Sequence, residues 1–133
     1  MQSFYKEIVL DHFQRPRNRH ELDGATIEEH IDNPLCGDRV TIYANVHDDT
    51  LEEVSFTGRG CSISQASASM LTEQLTGASR DEAEQKVRAF LQMMQTEEDE
   101  DLGELAALKG VVQTPNRIRC ATLAWEAMQR ALD

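Results

Sequence analysis

The chain carries three cysteines, Cys36, Cys61 and Cys120, and a carboxylate, Asp38, stands two residues after the first. Cys36 lies in Asn33-Pro34-Leu35-Cys36-Gly37-Asp38, Cys61 in Gly58-Arg59-Gly60-Cys61-Ser62, and Cys120 in Arg117-Ile118-Arg119-Cys120-Ala121. Each sits at a turn or near a helix start, where bent backbone and glycine admit a ligand and a thiol becomes more acidic. In an extended stretch residues i and i+2 point to one side, so Cys36 and Asp38 can reach the same ion. Three thiolates and a carboxylate suit a tetrahedral Zn²⁺, and thiolates also suit iron–sulfur clusters. The oxygen is the weakest of the four ligands, which fits a site that exchanges something. Four anionic ligands outweigh a divalent ion. Arg39, Arg59, Arg117 and Arg119, all within three residues of the set, can offset that charge or hold an anionic sulfur species. The competing reading is three inert small hydrophobes, since the short C-x₂-C spacing of many zinc sites is absent.

The surrounding elements must bring residues 36, 61 and 120 together. Phe4, Ile8, Val9 and Phe13 stand at helical spacing, so a helix is expected over Ser3–Gln14, ending before Pro16. A weak strand over Ala25–Ile31 precedes the Asn33-Pro34 turn. Val40, Ile42, Ala44 and Val46 alternate with polar residues and predict a strand. His47-Asp48-Asp49-Thr50 reads as a hairpin turn, with a return strand over Leu51–Phe56 that Gly58-Arg59-Gly60 breaks. Cys61 is expected to open a helix through Leu75, rich in small residues that permit close packing. Ser79-Arg80-Asp81-Glu82 is a capping box for a third helix, and a short helical turn around Leu102–Leu108 is ended by Gly110. Thr114-Pro115 begins the last helix, whose stripe is Ile118, Ala121, Trp125, Met128 and Leu132. Arg119, Thr122, Glu126 and Arg130 face away, and Cys120 is expected at the border of core and solvent. The acidic run Glu97-Glu98-Asp99-Glu100-Asp101 reads as a solvated loop.

At 133 residues the chain supports one domain, 1–133, with one core. Its net charge of −11 repels nucleic acid and anionic membrane and favours a protein partner with basic patches. No apolar run is long enough to cross a membrane, and the first residues lack a secretory pattern. Cysteines that are few and odd in number argue for a reducing compartment, the cytoplasm. His12 shares the apolar face of the first helix and reads as a satisfied core or boundary histidine; His20 and His47 lie in turns, and His30 in the weak strand. Met70, Met93, Met94 and Met128 read as core filling, and Trp125 as a core anchor. The serines of Ser62–Ser69 lack a His/Asp partner, which argues against a serine hydrolase.

Four separated motifs resemble the SufU/IscU group of U-type, NifU-like iron–sulfur assembly proteins, more closely its SufU branch. They are Phe4-Tyr5-Lys6-Glu7-Ile8 with Asp11-His12 and Pro16-Arg17-Asn18; Asn33 to Asp38; Gly58 to Ser64 with Ala66-Ser67-Ala68-Ser69; and Arg119-Cys120-Ala121-Thr122-Leu123-Ala124-Trp125. The resemblance implies an α/β (α+β) fold, a three-stranded antiparallel sheet covered by helices. It implies metal ligands at Cys36, Asp38, Cys61 and Cys120, with Arg119, Arg39 and Arg59 in support. In the IscU branch a histidine precedes the third cysteine and a Leu-Pro-Pro-Val-Lys segment lies upstream. Here Arg119 and Val111-Val112-Gln113-Thr114-Pro115 stand instead. The SufU branch implies zinc and a SufS-type cysteine desulfurase that donates persulfide sulfur. Cys36, on a glycine-flanked turn, would be the acceptor once a partner residue takes its place on zinc, and sulfur would pass on to downstream cluster-assembly proteins. Two alternatives remain: a scaffold that builds and transfers a [2Fe–2S] cluster on the same ligands, and a non-catalytic domain with a structural zinc.

Overall fold

The computed structural model describes residues 2–34, 37–95, 103–111 and 115–133. The alternating segments form an antiparallel sheet of order β1-β2-β3: β1 Ile27–Asn33, β2 Asp38–His47 and β3 Thr50–Arg59. Ile31 pairs with Val40, Asn33 with Asp38, and Ile42 with Phe56, so the apolar positions share one face. The β2–β3 turn needs two consecutive left-handed residues. Asp48 and Asp49 supply them at φ 50° and 65°, as tight hairpins require. β3 runs past the expected end at Phe56, through Gly58, and stops at Arg59, inside the Gly58-Arg59-Gly60 segment expected to break it. A Cβ at Gly58 would lie 2.4 Å from the Arg39 carbonyl oxygen, so this glycine serves close strand approach.

Among the described residues five helices surround the sheet: α1 Gln2–Gln14, α2 Ser62–Leu75, α3 Arg80–Gln95, α4 Ala106–Val111 and α5 Pro115–Leu132, with a 3₁₀ turn at Gly103–Leu105. The expected stop at Gly110 fails, since α4 continues to Val111. Residues 97–101 and Thr114 lie outside the described residues. The Ser79 capping box forms as expected: Ser79 N–H donates to Glu82 Oε1 at 3.0 Å, and Glu82 N–H donates to Ser79 Oγ at 3.1 Å.

Helices α2 and α5 cover the inner face of the sheet and pack on each other, α3 packs on α5, and α1 packs on α2 and α4. Trp125 is fully buried and stacks on Phe90, centroids 4.2 Å apart. Met70, Met93, Met94 and Met128 are core, as expected. His12 is a buried histidine with Nδ1 2.8 Å from Ser69 Oγ. Burial, with the Arg17 charge adding to it, holds its pKa below the ordinary value. Helix α2 departs from a simple amphipathic pattern, because Ser64, Gln65, Ser67, Ser69 and Thr72 are buried along with its apolar residues.

Candidate metal centre

Three of the four expected ligands converge. One donor atom each from Asp38, Cys61 and Cys120 lies within 4.8 Å of the others. Cys36 lies outside the described residues.

Asp38 starts β2, side chain inward and 1% exposed. Its Oδ1 accepts the Cys61 N–H at 3.0 Å, and its Oδ2 lies 3.9 Å from Cys61 Sγ. The carboxylate thus satisfies an orphan donor at the N-terminus of α2, where Cys61 is the N-cap and makes no side-chain cap of its own. Gly60 makes this approach possible. Its φ is +154°, and a Cβ there would lie 2.2 Å from Asp38 Oδ1 and 2.9 Å from Ser64 Oγ. The extended geometry assumed between residues 36 and 38 does not hold at Gly37, which has φ +72° and donates its N–H to Asn33 O at 2.8 Å. Pro34 and Gly37 are both turn residues.

Cys120 projects from the second turn of α5 and is 2% exposed, deeper than the border position its helical phase suggested. Thr122, expected to face outward, is likewise mostly buried, with Oγ1 donating to Glu126 Oε2 at 3.0 Å. The two cysteine-bearing helices are locked by a buried pair of hydrogen bonds. Ser67 Oγ donates to Ala121 O, and Trp125 Nε1–H donates to Ser67 Oγ at 3.0 Å. Ser67 lies six residues after Cys61, and Ala121 directly follows Cys120, so one side chain sets the register between the two thiols.

The arginines are arranged less simply. Arg39 and Arg59 are paired across β2 and β3, both exposed, and Arg39 Nε lies 4.0 Å from Asp32. Arg119 is half-exposed with Nε 3.4 Å from Glu126, and Arg117 is exposed. Among the described residues, Arg39 pairs with Asp32 and Arg119 with Glu126, not with Asp38.

Burial pushes the Cys120 thiol far above its ordinary pKa, reinforced by hydrogen bonding and charge from Asp38 and Cys61. A cation among these donors reverses that balance for Cys120. The donor set fits a thiophilic divalent ion, Zn²⁺ or iron, better than Mg²⁺ or Ca²⁺. Sequence reasoning missed Gly60 as the residue that admits Asp38, and Ser67 as the clamp between helices. The small-residue pattern of α2 signalled close packing but not which serine bonds across.

Comparison with known proteins agrees with this geometry. The chain matches the family described as NifU-like N terminal domain over residues 4–133. It is 38% identical over 135 residues to a Bacillus subtilis (strain 168) protein named zinc-dependent sulfurtransferase SufU, covering 99% of this chain and 91% of that one. It is 39% identical to a Streptococcus pyogenes serotype M1 protein named iron-sulfur cluster assembly scaffold protein IscU, covering 96% and 82%. A crystal structure titled as a putative iron-sulfur cluster assembly scaffold protein for the SUF system, from Fervidobacterium islandicum AW-1, superposes with a TM-score of 0.91. It is 30% identical, over 99% of this chain and 98% of that one. The three-stranded antiparallel sheet under helices, the motifs around the thiols and these matches agree: the chain belongs to the NifU-like N-terminal domain family.

Proposed function

We propose that residues 1–133 act as one domain that accepts persulfide sulfur from a SufS-type cysteine desulfurase and passes it to downstream iron–sulfur cluster-assembly proteins. The convergence of Asp38, Cys61 and Cys120 carries this reading. The Bacillus relative's name and Arg119 at the position before the third cysteine favour sulfur transfer. Zn²⁺ is the proposed cofactor, held by Cys36, Asp38, Cys61 and Cys120; when bound it keeps thiols deprotonated and guarded from side reactions.

Within that frame each residue has a distinct task. Asp38 is held by the Cys61 N–H through Oδ1, which leaves Oδ2 facing the thiols. Cys61 and Cys120 are anchored on α2 and α5. Cys36, beside Gly37, is the acceptor. Its thiolate attacks the outer sulfur of the partner's cysteine persulfide. An S–S bond forms on Cys36, the partner's S–S bond breaks, and the electron pair leaves with the partner's thiolate, so no external oxidant or reductant is needed. Arg39, Arg59, Arg117 and Arg119 supply local positive charge for an anionic sulfur species. The net charge of −11 fits protein partners and disfavours nucleic acid and anionic membrane. Among the described residues no helix is long and apolar enough to cross a membrane. The few, odd-numbered cysteines fit a reducing cytoplasm.

Metal analysis of the chain purified without added metal should give one tightly bound zinc per chain that is lost in Cys61→Ser, and the chain should stimulate its desulfurase. Stimulation that survives Cys36→Ala overturns sulfur transfer through Cys36. A second reading, a [2Fe–2S] scaffold on the same ligands, is favoured by the scaffold names of the Streptococcus and Fervidobacterium proteins. It requires cluster assembly from iron and sulfide under anaerobic conditions, longer-lived in Asp38→Ala.

A further inference from the structure

Asp11-His12 and Arg17 carry part of the sequence resemblance, yet the thiol centre does not use them. His12 is 2% exposed. Its Nδ1 lies 2.8 Å from Ser69 Oγ, which also accepts the Arg17 N–H at 2.9 Å. Its Nε2 points the opposite way, 3.5 Å from Glu73 Oε1 and 3.7 Å from Glu104 Oε2, with no hydrogen bond to another described residue. One donor atom from each of the three side chains lies within 4.8 Å of the others.

These separations are long for charge-assisted hydrogen bonds, which run at about 2.7–2.9 Å. They are close to the spacing of ligands around one small ion, since bonds of about 2.0–2.2 Å at tetrahedral angles place donors roughly 3.3–3.6 Å apart. When Nδ1–H donates to Ser69 Oγ the Nε2 lone pair is open to an ion; in the other tautomer Ser69 O–H donates to Nδ1 and Nε2–H faces the carboxylates, so a bound cation takes the place of the Nε2 proton. An outer hydrogen bond of this kind orients a ligating histidine. Glu73 is held from behind, its Oε2 3.8 Å from Arg17 Nε, while Arg17 is itself engaged by Asp11 at 2.6 Å.

We propose that His12, Glu73 and Glu104 form a second divalent-cation site, separate from the thiols, for a borderline ion such as Zn²⁺, Fe²⁺ or Mn²⁺ with water completing its shell. The imidazole selects against Ca²⁺ and Mg²⁺. A cation here ties α1, α2 and the 3₁₀ turn Gly103–Leu105 together.

Calorimetric titration of Zn²⁺ into the metal-free full chain tests the proposal. Two binding events are expected: one lost in Cys61→Ser, the other weakened roughly tenfold or more in Glu104→Gln and in His12→Gln. Glu104 is 59% exposed, so its variant keeps the test decisive even if His12→Gln fails to fold. An event sensitive to Glu104→Gln but not to Cys61→Ser supports this site even if the thiol centre binds no zinc. Events indifferent to Glu104→Gln, or a single event abolished by Cys61→Ser, overturn it.

Discussion

Gly60→Ala should damage the centre without touching a ligand. The new methyl would lie 2.2 Å from Asp38 Oδ1 and 2.8 Å from its Cγ, so the buried carboxylate must move and lose the Cys61 N–H. A hydrogen bond to a charged group contributes about 1.5–3 kcal/mol. A non-glycine residue at φ +154° adds strain of about 1–3 kcal/mol. The expected loss is therefore about 2.5–6 kcal/mol, or roughly 8–24 °C in Tm for a domain of this size. Gly24→Ala is the control: φ is +68°, but no atom lies within 4 Å of its Cβ, so only the backbone cost of about 1–2 kcal/mol applies. The assay is thermal unfolding of the metal-free chain, paired with zinc affinity, which should fall in Gly60→Ala alone. In an Asp38→Ala background the Gly60→Ala cost should shrink, because the clashing carboxylate is gone. Equal losses for the two glycine variants, or costs that simply add with Asp38→Ala, would refute the reasoning.

Ser67→Ala removes both cross-helix hydrogen bonds and orphans the buried Trp125 N–H; it should cost about 1–3 kcal/mol in denaturant melts. Ser67→Ala combined with Trp125→Phe should lose less than the sum of the singles, and strict additivity would count against the clamp. Trp125→Ala, which empties the stack on Phe90, should cost about 3–5 kcal/mol by the same measurement. Glu82 has a folded-state pKa held below its ordinary 4.5 by the Ser79 N–H and hydroxyl. Its contribution is full above pH 4.5 and fades as pH falls through the lowered value, so Ser79→Ala should flatten the acid limb of a Tm-against-pH curve.

The hairpin, the capping box and the stripe of α5 were legible because period two, period 3.6 and cap chemistry are local signals. The break at Gly58-Arg59-Gly60 was legible, but not that Gly58 itself lies within β3, because glycine reads alike whether it ends a strand or lets two backbones meet; only the Arg39 carbonyl beside it decides. The depth of Cys120 was misread for a related reason, since helical phase gives direction but not the thickness of what α2 and β1 lay over it. The buried polar residues of α2 and the meeting of His12 with Glu73 and Glu104 depend on partners dozens of residues away. The thiol set could be read because its neighbours form motifs, while its geometry rests on Gly60 and Ser67.

The central claim is that sulfur lands on Cys36. The direct measurement is peptide mapping by mass spectrometry after the zinc-loaded chain meets its desulfurase and free cysteine, with alkylation to trap persulfides. The account predicts one added sulfur on the Cys36 peptide, and none on those of Cys61 and Cys120. Sulfur on Cys61 or Cys120 instead, or no added sulfur while the desulfurase turns over, would contradict it.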